Sequence, residues 1–146
     1  MFALDTNILV YAHNLDSPFK DKSKDFLERV LNDRDDEGNL SICIPTQVLI
    51  EFINVITRQN MESPLLLDEA IKIVNDYLAS GIKIVHPQET QLSTFLELLK
   101  SVTTRKKVFD VALVATLKDN EISGLYTANI NDFKDFDFLK VENPIK

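Results

Sequence analysis

The sequence predicts an α/β fold of three layers, with helices on both faces of a mostly parallel sheet of four or five strands. Three observations predict it. Short apolar runs of strand composition recur from the first residues to the last, and each is followed by a longer stretch with apolar residues at helical spacing. The 146 residues are 45% hydrophobic with only Gly 3 and Pro 5, enough apolar material for one core and too few breakers for a disordered or fibrous chain. No repeat or linker composition divides them, so residues 1–146 are expected to form a single domain.

Phe2-Ala3-Leu4 reads as a first buried strand that passes Asp5-Thr6-Asn7 and turns into a helix through Ile8-Leu9-Val10-Tyr11-Ala12. From Ser17-Pro18 to Arg34, Phe19, Phe26, Leu27, Val30 and Leu31 recur among charges, the mark of an amphipathic surface helix. Asp33 to Gly38 breaks that pattern as a solvated loop. Leu40 to Pro45 has strand composition, and Thr46 is a candidate N-cap for a helix from Gln47 to about Arg58. A further helix is expected from Pro64 to Ser80, ended by Gly81, and a third strand over 82–87. Glu89 to Ser101 is again helical, and after a basic break a strongly apolar helix runs from about Phe109 to Lys118. Gly124 to Thr127 is the fourth strand, and Asp137 to Val141 a short fifth.

Sixteen basic residues against 23 acidic ones leave a net charge of -7, which disfavours nucleic-acid binding through overall charge and requires any polyanion to be gripped locally. The lone Cys43 lies in the apolar run Ile42-Cys43-Ile44, which excludes a disulfide framework and suits a buried thiol in a reducing cytoplasm. No leader-like segment opens the chain and no apolar run is long enough to cross a bilayer, so a soluble cytoplasmic protein without membrane contact is expected.

Three acids stand out by position. Asp5 follows the first strand, where ligands collect in open α/β sheets, although a plain helix cap explains it equally well. Glu51 sits in Val48-Leu49-Ile50-Glu51-Phe52-Ile53, where an unpaired carboxylate is costly to bury and calls for a cationic or metal partner. The plain alternative is a wet stripe of Gln47, Glu51, Asn54 and Arg58 along one helix face. Asp110 opens the most apolar helix, where it is either a cap or a site residue. Thr127-Ala128-Asn129-Ile130-Asn131-Asp132 then adds an amide and a carboxylate after the fourth strand. Carboxylates gathered from such distant segments repel one another unless a cation lies among them, and oxygen-only ligands select Mg²⁺ or Mn²⁺.

Leu4-Asp5-Thr6-Asn7-Ile8, a helix bearing Glu51, Phe109-Asp110-Val111-Ala112-Leu113-Val114-Ala115 and Thr127 to Phe133 together resemble the successive motifs of PIN-domain nucleases, above all the VapC-type toxins of toxin–antitoxin pairs. The resemblance implies a Mg²⁺- or Mn²⁺-dependent endoribonuclease. Asp5, Glu51 and Asp110 would hold the metal, Asp132 or Asn129 would add a fourth polar group, and Thr6 and Thr127 would support them. It further implies hydrolysis that leaves a 5′-phosphate and a 3′-hydroxyl, a protein antitoxin covering the site, and a homodimer formed through surface helices. A departure is the stretch Thr103 to Val108, which lacks the glycine often found before the third acid.

Arg105, Lys106 and Lys107 lie just before Asp110 and could form a basic lip for RNA phosphates, or merely solvate the end of a helix. His13 and His86 could in principle serve metal-free acid/base cleavage, but nothing in the sequence brings them together. A haloacid-dehalogenase-like phosphatase also places an aspartate after its first strand, yet it needs a second acid where this chain has Asn7. A housekeeping RNA-processing nuclease and an inactive binding module of the same fold are the remaining alternatives.

Overall fold

The protein is described by a computed structural model covering residues 1–102 and 104–146, with Lys106 described in its backbone only. Thr103 and the Lys106 side chain, part of the expected basic lip, therefore lie outside the described residues.

Five strands form one parallel sheet: β1 (Phe2–Leu4), β2 (Ile42–Pro45), β3 (Lys83–Val85), β4 (Gly124–Tyr126) and β5 (Lys140–Glu142). Their order is β3-β2-β1-β4-β5. Phe2 pairs with Ile42 on one side and with Gly124 on the other, so β1 is the central strand. A central parallel strand is covered on both faces, which is why Ala3, Leu4, Ile42, Ile44 and Leu125 form unbroken apolar runs rather than alternating ones.

Among the described residues six α-helices cover the sheet: α1 (Thr6–His13), α2 (Lys20–Asn32), α3 (Thr46–Ile56), α4 (Leu67–Ala79), α5 (Gln91–Leu99) and α6 (Val108–Asp119). α1 packs on α2 and α3, α3 packs on α4, and α5 packs on α6, giving the two helical layers of the expected α/β arrangement. Phe52 of α3, Ile8 and Leu9 of α1, Leu117 of α6 and Phe133 are almost wholly buried in the core between them. The strand order reverses direction on either side of β1, so the ends of β1 and β4 bound the crevice where such sheets take their ligands.

Local differences from expectation have physical causes. Thr46 is the first residue of α3 rather than its cap: Pro45, with φ −66° and ψ 144°, turns β2 straight into the helix and leaves no loop for Thr46 to close. α4 starts at Leu67, later than Pro64, because the Glu69 carboxylate accepts the Leu66 N–H and fixes the first turn there. It ends at Ala79, and Gly81, with a φ of 86° that suits glycine, turns the chain away just beyond it. The acidic loop after α2 is closed by an antiparallel bridge between Arg34 and Leu40, with Asp35 accepting from the N–H groups of Glu37 and Asn39.

Candidate functional site

Asp5 leaves β1 with extended backbone and caps α1, its Oδ1 accepting the Thr6 N–H at 2.8 Å. The capping role and a site role are thus the same placement. Its other oxygen accepts from the Thr127 hydroxyl at 2.7 Å and from the Asn7 amide at 3.4 Å. Thr127, fully buried beyond the end of β4, also accepts from the Asn7 amide at 3.2 Å and from the Asn129 N–H at 3.1 Å. Asn7 completes the lock by accepting the Ala128 N–H at 3.1 Å. Neighbouring strand ends are therefore tied by side chains at the point where their ladder stops.

Glu51 projects from the second turn of α3 toward the same crevice. Its Oε2 accepts the Thr6 hydroxyl at 2.8 Å and its Oε1 the Gln47 amide at 3.1 Å. Of the cationic or metal partner expected for it, no cationic side chain is there among the described residues; a hydroxyl and an amide bond the carboxylate, Gln47 lying one turn back on the same helix face. Gln47 also donates to the Phe109 carbonyl at 3.0 Å, which fastens α3 to the first turn of α6.

Asp110 is the third residue of α6, and Lys107 occupies the cap position, so the capping alternative for Asp110 does not hold. Its carboxyl has no hydrogen-bond donor among the described residues. Asp132 sits in a short 3₁₀ turn, Ile130–Phe133, held by the buried Phe133 ring and by an N–H bond from Asp132 to the Asn129 carbonyl at 3.1 Å.

A cavity of about 350 Å³ joins these pieces, with Asp5, Glu51, Asp110, Asp132, Asn129 and Thr6 all on its wall. Its electrostatics follow from that crowding. Burial pushes Asp110 up to about 6, and the negative charges of Asp5, Asp132 and Glu51 add to the effect while Lys107 opposes it. Asp5 is likewise raised, chiefly by burial, against the pull of its Thr127 and Thr6 hydrogen bonds. Among the described residues no three His, Cys, Asp or Glu side chains are drawn together as a ready-made metal cluster. The four carboxylates border a shared space and are not packed oxygen to oxygen.

The remaining sequence candidates separate. Lys107 pairs with Asp135 at 3.3 Å and is largely covered, while Arg105 is exposed; neither lines the cavity. His13 bonds Tyr77 at 2.8 Å and packs edge-on against Phe52 between α1 and α4, whereas His86 is exposed after β3, so the two imidazoles serve different places. Cys43 is buried in β2 with its thiol pushed up to about 11. Sequence reasoning missed the tie made by Asn7 and the brace made by Gln47. Their signals were present, one two residues after Asp5 in the same turn and the other four residues before Glu51, but their partners lie some 120 and 62 residues away.

With this geometry in place, comparison with known proteins is specific. A family profile described as PIN domain matches residues 2–139. Ribonuclease VapC24 of Mycobacterium tuberculosis is 27% identical over 147 residues, covering 99% of this chain and 97% of that protein. Ribonuclease VapC43 of the same species is 30% identical over 128 residues, covering 86% of this chain and 84% of its own length. Among solved structures, VapBC2 from Rickettsia felis, bound to a DNA fragment from its promoter, superposes with a TM-score of 0.66 over 97% of both chains at 21% identity, a likeness of fold.

Proposed function

We propose a function from one established premise: this chain belongs to the PIN-domain family, among relatives named VapC ribonucleases. It is an endoribonuclease of the VapC type, the toxin of a toxin–antitoxin pair, and it hydrolyses RNA phosphodiester bonds at the acidic cavity. The observation that carries this reading is the convergence of Asp5, Glu51, Asp110 and Asp132, from four separate segments, on one cavity at the carboxyl ends of β1 and β4.

The donor set suits a hard divalent cation, Mg²⁺ or Mn²⁺. Every polar group on the wall is an oxygen or amide donor, and the raised Asp5 and Asp110 carboxyls are held in a repulsive arrangement that positive charge would relieve. Asp5, Glu51 and Asp110 would hold the ion, with Asp132 or Asn129 completing its surroundings. When bound, it would offset the charge building on a scissile phosphate and ease deprotonation of the attacking water. The residues themselves do the positioning. Thr6 and Thr127 hold Asp5 in one rotamer, the Thr6 hydroxyl steers Glu51, and Gln47 sets the distance between the Glu51 helix and the Asp110 helix. Above about pH 6 Asp110 is ionised. Hydrolysis then places the water oxygen on phosphorus and breaks the bond to the 3′ oxygen, which takes up a proton, leaving a 5′-phosphate and a 3′-hydroxyl.

A protein antitoxin and a homodimer accompany this function. Exposed Leu67, Ile71 and Leu78 on the outer face of α4 suit a contact with a second copy. The purified chain should cut RNA with Mg²⁺ or Mn²⁺ and stop with chelator, and Asp5→Asn or Asp110→Asn should lower the rate at least about a hundredfold while circular dichroism stays unchanged. Cleavage that persists in chelator, or that yields cyclic phosphate ends, would sink the metal-assisted hydrolysis.

A further inference from the structure

Beside the acidic cavity lies a second one of about 370 Å³, lined by Glu51, Asn54, Val55, Arg58 and Phe109. Glu51 and Val55 belong to both walls, so the two spaces adjoin. Phe109, the residue just before Asp110, leaves its ring 74% exposed. Its backbone is nevertheless pinned through its carbonyl by Gln47, which holds the ring's point of attachment next to the acidic cavity. In the same lining the Arg58 guanidinium has no hydrogen bond or ion pair among the described residues. On a chain of net charge -7, an unpaired cation lining the same groove as Glu51, beside the acidic cavity, is placed to meet an anion that the acids alone would repel.

We infer that this groove is the binding subsite for one nucleotide flanking the scissile phosphate of a single-stranded RNA: its base stacks on the Phe109 ring and Arg58 takes an adjoining phosphate. The inference rests on the nuclease reading above and deepens it. Three features favour RNA here over a protein segment. The groove adjoins the acidic cavity, it brings a flat aromatic face and a cation into one lining, and the Asn54 amide can meet a base edge. A base stack of this kind tolerates any base, so Phe109 would set affinity, and Asn54 would supply any preference among bases.

The test uses the full chain and a fluorescently labelled single-stranded oligoribonucleotide. Anisotropy is measured in an Asp110→Asn background, so that binding is read without cleavage. Phe109→Ala should weaken binding about tenfold, Phe109→Tyr should restore it to within about twofold, and Phe109→Leu should not, since only the tyrosine keeps a ring to stack on. Arg58→Ala should flatten the dependence of log Kd on log salt by about 0.7, one phosphate contact fewer. In the active chain Phe109→Ala should raise KM about tenfold with kcat within about threefold. Unchanged affinity and KM in Phe109→Ala would overturn the inference, and so would a Phe109→Leu variant that binds as well as the native chain. If Phe109→Ala spared RNA but impaired inhibition by a co-expressed antitoxin, the groove would be assigned to that protein and not to substrate. A native chain that cuts no RNA defeats the nuclease reading, while the anisotropy still decides the groove.

Discussion

A single carboxyl shows how this site trades stability for chemistry. Asp110 is raised from the ordinary carboxylate value of 3.8 to about 6, mainly by burial and then by its acidic neighbours. Between those two values the unfolded chain gives up its proton while the folded chain keeps it, so stability falls as pH rises through this window and stays lower above it. Ionised Asp110 is thus a cost to the metal-free fold at neutral pH. Asp110→Asn should therefore melt a few degrees higher than the native chain at pH 7.5 in chelator, with the gap closing as pH falls toward 4. An equal gap at both pH values, or a lower melting point for the variant, would show that the carboxyl is not strained. Asp5 is raised in the same direction, but its bonds to Thr6 and Thr127 make it a structural cap as well. Asp5→Asn should accordingly stabilise less.

At the scale of elements, the site depends on strand ends being held in register. β4 lies against β1 with Gly124 opposite Phe2, and a Cβ at Gly124 would come within 2.6 Å of the Phe2 ring. That ring is also stacked on Tyr126 at 4.4 Å, so it has little room to yield. Gly124→Ala should cost about 1–3 kcal/mol by overpacking, read from denaturant unfolding, and it should lower catalysis as well because Thr127 and Asn129 are displaced with the strand. Unchanged stability would mean that Phe2 moves freely. α3 and α6 are coupled in a different way, through Gln47, which bonds both Glu51 and the Phe109 carbonyl. Helices that pack on opposite faces of the sheet thereby share a polar brace at its end.

For the whole molecule, the separation of the acids in sequence is what makes their convergence informative. Residues 5, 51, 110 and 132 meet because parallel strands deliver their carboxyl ends to one edge, and the reversal of strand order at β1 opens a crevice there. A cation bound among them acts on the folded state as a ligand and should raise the melting temperature in a saturable way with Mn²⁺ or Mg²⁺. The rise should vanish in a variant carrying both Asp5→Asn and Asp110→Asn. A shift that survives in this double variant would place the ion elsewhere.

The alternation of strand and helix, the order of the motifs and the acids that border one cavity were legible in the residues themselves, because apolar periodicity and strand-end position are local properties. Even the edge strand at Lys140–Glu142 was within a few residues of its expected place. What the chain order could not express was pairing across distance: that Glu51 accepts from Thr6 and Gln47, that Asn7 ties β1 to β4, that Lys107 is spent on Asp135, and that Phe109 stays bare beside Arg58. Hydrogen bonds and charge interactions decay within a few ångströms, so which partners meet is decided only when the sheet brings remote segments together. Sequence determined which groups are available for chemistry, and tertiary structure decided which of them share one space.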